Sequence, residues 1–273
     1  MFFVAAGLSW LALFGTSSPE LRVNFLDVGQ GSAVFIEAPN RSQLLIDGGS
    51  GSKILARLGE VMPFYDKKID VLLLTHPDQD HLAGFLEVIK NYQVSLVLET
   101  GIKSDSVLNQ EWEKVLREKN IRISHVKAGD KLALDRQAIV TILYPLADVS
   151  GQEFKETNES SVVARLDYGQ NSFLFTGDAD KKVERGLIFN KLNIKADFLN
   201  VGHHGSKNSS DPEFVSAVNP LAAVIQVGKN NKYGQPHQET LDVLEGLGIN
   251  ILRNDLLGNI NFVCDLKECF WAK

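Results

Sequence analysis

His76-Pro77-Asp78-Gln79-Asp80-His81 sets two imidazoles and two carboxylates within six consecutive positions. Imidazole nitrogens and carboxylate oxygens are common protein donors to divalent metals, and four of them on one turn can converge on a point. Without a cation the two carboxylates would repel each other, and the whole group would be costly to withdraw from water. The spacing therefore predicts a metal-binding loop rather than a solvated acidic turn. Its flanks agree: Asp70-Val71-Leu72-Leu73-Leu74 reads as a short buried strand, and Leu82 to Tyr92 as an amphipathic helix.

Three further polar groups stand where apolar runs end. Asp47 follows Leu44-Leu45-Ile46, Thr176-Gly177-Asp178 follows Phe173-Leu174-Phe175, and Gly202-His203-His204-Gly205 follows Phe198-Leu199-Asn200-Val201. A strand-terminal Asp alone is often a helix N-cap. Four such sites at the ends of separate strands are what an active edge on a rigid scaffold requires. His125 lies away from all of them and reads as a surface or core histidine.

The elements that must position these groups come in two similar runs. Leu21 to Val28 and Ala33 to Glu37 flank Gly29-Gln30-Gly31 as a hairpin. Strands at 44–46, 70–74, 94–98 and 121–126 then alternate with helices at 53–62, 82–92 and 106–119. Strands at 138–144, 161–166, 172–175, 198–201 and 222–227 follow, with helices at 179–190, after Pro212 and at 238–247, and closing strands near Ile249 and Ile260. With no linker or repeat between the runs, residues 19–273 predict a single layered α/β domain.

At 273 residues, 44% hydrophobic and 23% charged, the chain can bury a large core. Its net charge of −6 weighs against a broad basic face for nucleic acid, so any phosphate must be met locally by metal and a few cations. Cys264 and Cys269 could close a small loop, but the plainer reading is two unconnected thiols flanking a last strand. Residues 1–18 open with fifteen uncharged residues, Met1 to Gly15. That length is short of the roughly 20 residues that span a bilayer. The segment reads as an apolar leader, either a membrane-helix remnant or a signal peptide, and predicts an extracytoplasmic domain that is membrane-associated or secreted.

His76-x-Asp78-x-Asp80-His81, with Ile46-Asp47-Gly48-Gly49 before it and Thr176-Gly177-Asp178 and His203-His204-Gly205-Ser206 after it, resembles the metallo-β-lactamase superfamily of hydrolases. Phe25-Leu26-Asp27-Val28-Gly29-Gln30-Gly31, Tyr233-Gly234-x-Pro236-His237 and the apolar leader are further similar to the C-terminal domain of ComEC-type competence DNA-uptake proteins. The likeness runs from Leu21 to Val263. It implies an αβ/βα four-layer sandwich of two mixed sheets with two divalent ions at one edge. His76 and Asp78 would hold one ion, Asp80, His81 and His204 the other, and Asp178 would bridge them. Asp47 would brace the metal loop from behind, and His203 would stand behind the ligands or handle protons. Asp80 would take a proton from the attacking water, and His237 would sit near the leaving group or orient a phosphate. Asn158, Ser161, Ser206, Lys207 and Tyr233 would meet the substrate.

Departures from the superfamily pattern shape the metal expectation. Asp78 replaces an imidazole, and Asn158-Glu159-Ser160-Ser161 stands where a third histidine ligand is usual. More oxygen donors favour Mn(II) over Zn(II). Ser32 and Gln235 replace an Asp and a His of the ComEC-like pattern and put substrate positioning in question. The resemblance implies a phosphodiesterase or nuclease acting on DNA during competence uptake, with a membrane channel domain of the same or a partner protein beside it. The alternatives are hydrolysis of a small phosphoester such as a phosphorylcholine ester, and a channel accessory domain with reduced catalysis.

Overall fold

Alternation assembles the strands. The computed structural model describes residues 20–272. In β1 (Leu21–Phe25), β2 (Val34–Glu37) and β3 (Gln43–Ile46), one set of side chains, Leu21, Val23, Phe25, Val34, Ile36, Leu44 and Ile46, turns inward. Phe35 and Leu45 turn to the opposite face. The chain continues through α1 (Lys53–Val61), β4 (Lys68–Leu73), α2 (Gln79–Asn91), β5 (Gln93–Glu99), α3 (Val107–Glu118) and β6 (Arg122–His125). β3 to β6 run parallel. The three helices cover the outer face through Ile54, Leu58, Leu82, Phe85, Trp112 and Leu116.

The second run builds the facing sheet. β7 (Lys131–Ala133), β8 (Ala138–Tyr144), β9 (Val163–Tyr168) and β10 (Asn171–Phe175) pair antiparallel. After α4 (Lys181–Phe189), the strands β11 (Phe198–Asn200), β12 (Ala222–Ile225) and β13 (Asn250–Arg253) add parallel to β10. The helices that connect them, Pro212–Val218 after β11 and Gln238–Gly246 after β12, join α4 over the outer face. β14 (Ile260–Cys264) and β15 (Cys269–Ala272) return to the first sheet, where β14 pairs antiparallel with β1. The result is an eight-stranded and a seven-stranded mixed sheet, each backed by helices: the expected αβ/βα sandwich. Phe25, Phe173, Phe198 and Phe262 pack ring against ring between the sheets.

Several expectations are corrected. β1 and β2 stop short of Gly29-Gln30-Gly31, which lies in a loop over residues 26–33 rather than a tight turn. Gly31 is there for close approach: a Cβ on it would lie 2.2 Å from the Asp80 carbonyl oxygen. Cys264 and Cys269 are joined in a disulfide that ties β14 to β15, against the plainer reading of two separate thiols. The localisation expectation is overturned. No helix among the described residues is long and apolar enough to cross a membrane. Residues 1–18 lie outside the described residues, so anchoring through them has no support.

Both sheets present the carboxyl ends of their parallel strands at one edge. The loops after β3, β4, β10, β11 and β12 gather there, the region where open α/β sheets place their sites. α2 is seated on the β3 loop by Gly48 N–H donating to His81 O (2.7 Å) and Gly84 N–H donating to Gly49 O (2.9 Å). The approach is so close that a Cβ on Gly84 would fall 1.8 Å from Gly48 O. Val162 N–H donates to Thr75 O (3.0 Å), bridging one sheet's edge to the other's.

Candidate metal centre

β4 runs into Thr75 and His76, and α2 begins at Gln79, so the loop is short and its side chains are aimed by rigid elements on both sides. Asp78 occupies the N-cap position of α2 but makes no side-chain cap. Its carboxylate turns to the cluster instead. Oδ1 accepts from Thr157 Oγ1 at 2.5 Å, and Oδ2 lies 3.7 Å from His76 Nε2.

Two overlapping triads form. The ligand atoms of His76, His81 and Asp178 lie within 4.8 Å of one another, as do those of Asp80, His81 and His204. Asp178 faces both. Its Oδ1 is 3.2 Å from His81 Nε2 and 3.7 Å from His204 Nε2, while its Oδ2 is 3.9 Å from His76 Nε2 and 3.7 Å from His203 Nε2. Asp80 Oδ2 approaches His204 Nε2 at 3.2 Å.

The hydrogen bonds on the far side of each ring test whether an ion fits. His204 Nδ1–H donates to the Gln226 carbonyl (2.9 Å), and His81 Nδ1–H to Asp47 Oδ2 (2.7 Å). Thr75 Oγ1 gives its own proton to Asp47 Oδ2 (2.8 Å), so it can only accept from His76 Nδ1 at 3.1 Å. In their neutral form all three rings thereby carry the hydrogen on Nδ1 and point the Nε2 lone pair inward, as metal-ligating imidazoles do. Those three Nε2 atoms and Asp178 Oδ1 are buried with no hydrogen-bond partner in the protein. Buried polar atoms are almost always satisfied. Four orphans converging on one space, two carboxylates among their neighbours, fit divalent cations.

Backbone strain concentrates here as well. Asp47 (φ 55°), His203 (φ 50°) and His204 (φ 55°) are all left-handed, a conformation that side chains other than glycine's rarely adopt. Gly205 follows at φ 81°, and a Cβ there would meet Pro236 at 2.6 Å. Three consecutive left-handed residues turn the chain sharply enough to present both histidines from one short loop.

Charge is divided unevenly among the rings. Burial and the neighbouring His81 charge lower the His76 pKa to about 4, so it is neutral near pH 7. Burial alone would lower His81 too, but the Asp178 and Asp47 carboxylates outweigh it and hold its pKa well above 6.5. His204 is raised in the same way: burial is overcome by the Asp178 and Asp80 carboxylates. Burial would raise Asp80, but the His204 imidazole 3.2 Å away and the His81 charge bring it down to about 2. Asp178, also against its burial, is held well below the ordinary range by His81 and His204.

Asp47 is the keystone behind the loop. It is 1% exposed and accepts from Thr75 N–H (2.8 Å), Thr75 Oγ1 and His81 Nδ1 together. Asp47→Ala leaves these donors without a partner and is expected to destabilise the metal-free protein by roughly 3–5 kcal/mol in urea unfolding. Metal affinity is expected to fall about 10–100-fold in calorimetric titration. A loss under 1 kcal/mol would show that the loop is held otherwise.

The remaining sequence-predicted residues fall at different depths. Ser161 is fully buried and accepts from Asp178 N–H (3.2 Å), which puts it behind the cluster. Ser206 is buried and closes the histidine loop by donating its N–H to His203 O (2.8 Å). Lys207 and Tyr233 are exposed, with Lys232 Nζ 5.1 Å from the Tyr233 ring centre. Asn158 lies 3.2 Å from His203 Nδ1. His237 caps the helix Gln238–Gly246; its N–H donates to Gly205 O (2.9 Å), and its Nδ1 is buried without a partner. His125 ends β6, half-exposed and 4.0 Å from Glu99, away from the triads. Sequence reading missed Thr75, Thr157 and Gln226. The hydroxyls flank acidic motifs and could have been flagged, but Gln226 acts through its carbonyl, which any residue would supply.

A profile of the metallo-β-lactamase superfamily matches residues 26–229, and the chain belongs to that superfamily. Among individual proteins, it is 36% identical to ComE operon protein 3 of Bacillus subtilis, over 92% of this chain and 34% of that protein. It is 31% identical to Recombination protein 2 of Haemophilus influenzae, over 94% and 31%, and 29% identical to Competence protein ComA of Neisseria gonorrhoeae, over 89% and 32%. The chain thus spans about a third of the length of the curated relatives it matches. Among solved structures, the metallo-β-lactamase fold protein YhfI of Bacillus subtilis superposes with a TM-score of 0.56 at 12% identity, over 93% of this chain and 100% of that one. Zn(2+)-bound PqqB from Methylobacterium extorquens does so at 0.54 and 13%, over 90% and 100%. These likenesses show the fold.

Proposed function

We propose that this domain is a metal-dependent phosphodiesterase that cleaves DNA in the course of its uptake. The observation that carries the reading is the pair of triads sharing His81 beside a two-faced Asp178, in a chain similar to proteins named for competence. His76, Asp78 and Asp178 Oδ2 would hold one ion; Asp80, His81, His204 and Asp178 Oδ1 would hold the other. With carboxylates on both sides, Mn(II) is preferred over Zn(II). When bound, paired divalent ions acidify a water and neutralise the charge that builds on a phosphodiester during attack.

The protein's own groups divide the remaining work. Asp80, with its side chain 28% exposed, is within reach of solvent and takes the proton at a carboxylate oxygen. Lys207, on the surface just beyond the histidine loop, meets the phosphate, and Tyr233 offers an exposed ring to a base. His237, whose backbone is fixed to Gly205 O, would act near the leaving group. A DNA-uptake channel domain, in this or a partner chain, would deliver the strand.

The net charge of −6 favours a second reading, hydrolysis of a small phosphoester such as a phosphorylcholine ester. One experiment separates them: linear DNA and p-nitrophenyl phosphocholine are each incubated with the Mn(II)-loaded protein and with its Asp80→Ala variant. DNA cleavage that the variant lacks supports the nuclease. Turnover of the small ester with inert DNA moves the assignment to the second reading. Two bound ions with neither activity leave an accessory domain.

A further inference from the structure

The two adjacent histidines are held in opposite chemical states. We propose that His203 is not an ion ligand but a hydrogen-bond donor to the substrate's oxyanion, locked in that role by Asn158. His204 is 2% exposed at its side chain and His203 28%, and their rings stand at 81° with centres 6.2 Å apart. The His204 Nδ1 faces a carbonyl, which can only accept, so in the neutral ring the lone pair is on Nε2. The His203 Nδ1 faces the Asn158 side-chain Nδ2 at 3.2 Å, which can only donate. His203 Nδ1 therefore accepts, and the neutral ring carries its hydrogen on Nε2. That N–H lies 3.7 Å from Asp178 Oδ2, on the open side of the cluster. A metal needs a lone pair at this position; a developing negative oxygen needs the N–H.

The backbone of His203 is fixed with equal care. Its N–H donates to Gly177 O (3.1 Å), and its carbonyl accepts from Ser206 N–H (2.8 Å) and Gln235 Nε2 (3.1 Å). Gln235 Oε1 in turn accepts from Gln30 Nε2 (2.8 Å), and Gln30 Oε1 from Gly228 N–H (3.1 Å). Two of the departures from family pattern thus converge on one residue, Asn158 at its ring and Gln235 at its backbone carbonyl. Asn158 stands where a third histidine ligand is usual, Gln235 where a histidine is common, and both bind His203. Asn158 and Gln235 are positioning residues, and His203 is the group that touches substrate.

The choice of oxyanion rests on the phosphodiesterase reading, but the decisive readouts do not. Nitrogen-15 imidazole spectra of the Zn(II)-loaded full chain should show metal-bound Nε2 for His76, His81 and His204 and a protonated Nε2 for His203. His203→Ala should keep the parent's full complement of Zn(II) and Mn(II) per chain, while kcat on bis(p-nitrophenyl) phosphate falls about 10²-fold. His203→Gln, which retains an N–H, should recover part of that loss. Asn158→Asp, which places an acceptor at Nδ1, should move the His203 proton from Nε2 to Nδ1 and lower kcat without removing an ion. A metal-bound Nε2 on His203, or one ion lost in His203→Ala, overturns the proposal, as does an undiminished kcat. If the parent binds two ions yet leaves the diester intact, the phosphodiesterase reading fails. The tautomer and ion counts then still decide the role of His203, with the rate arm run on p-nitrophenyl phosphocholine.

Discussion

Asp178→Asn is expected to remove the hydrolytic activity and at least one of two bound ions. The amide keeps the shape of the side chain but loses the charge that faces His76 and His203 through one oxygen and His81 and His204 through the other. It can also turn an N–H donor toward imidazoles whose lone pairs an ion would use. The loss in kcat/KM on a phosphodiester should be roughly 10³-fold, the upper end of what removing one electrostatic contact in an active site costs. Elemental analysis after dialysis should find one ion or fewer per chain. The fold should survive, because His81 can shed its proton once the opposing charge is gone. A variant that retains two ions would disprove the bridging role.

Metal should stabilise the protein strongly at neutral and alkaline pH and barely at all near pH 5. The signs follow from the metal-free cluster. His81 and His204 have folded pKa values above 6.5, so the stability they contribute is present below pH 6.5 and lost as pH rises through their folded values. His76, lowered to about 4, works the other way: its contribution is present above 6.5 and lost as pH falls toward 4. Asp80 behaves likewise from 3.8 down to about 2, and the contribution of Asp178, also held well below 3.8, is likewise lost in acid. An ion must displace the protons on His81 and His204, so its affinity falls with pH, but once bound it replaces the attraction those protons supplied. With free ion at about a thousand times its Kd, the gain is roughly 4 kcal/mol, or a Tm rise on the order of 10 °C for a chain of this size. Melting curves with Mn(II) and with EDTA from pH 5 to 8.5 should diverge steadily. A shift of constant size would place the ion away from these histidines.

Much of this site was readable in the sequence because its parts are local. The strand, turn and helix around His76–His81 have a spacing that only a compact ligand group explains, and Asp47, Asp178 and His204 each end an apolar strand. What stayed hidden depends on distance or on the backbone. Gln226 serves through a carbonyl, and the Thr157 bond to Asp78 joins segments 79 residues apart. The tautomer of His203 follows from an amide 45 residues away. In the fold, β8 was placed to the residue, but β7 and β15 were missed, being three and four residues long with mostly exposed side chains. The glycines at 29 and 31 suggested a tight turn because sequence cannot separate a bend from close packing. Five-residue cysteine spacing likewise cannot say whether two strands bring the sulfurs together.

The pairing of β14 with β1 has a bearing on how the chain is made. β1 sits between β14 and β2, so its partner on one side is translated long after it. From the emergence of Phe25 until Ile260 leaves the ribosome, that side of β1 is an unpaired template. At about 5–20 residues per second the interval is roughly 10–50 s. Exposed strand edges recruit other chains, so nascent molecules on one message are at hazard of mispairing with one another. Slower initiation, which spaces neighbouring ribosomes apart, should yield more soluble product than slower elongation, which prolongs the open state.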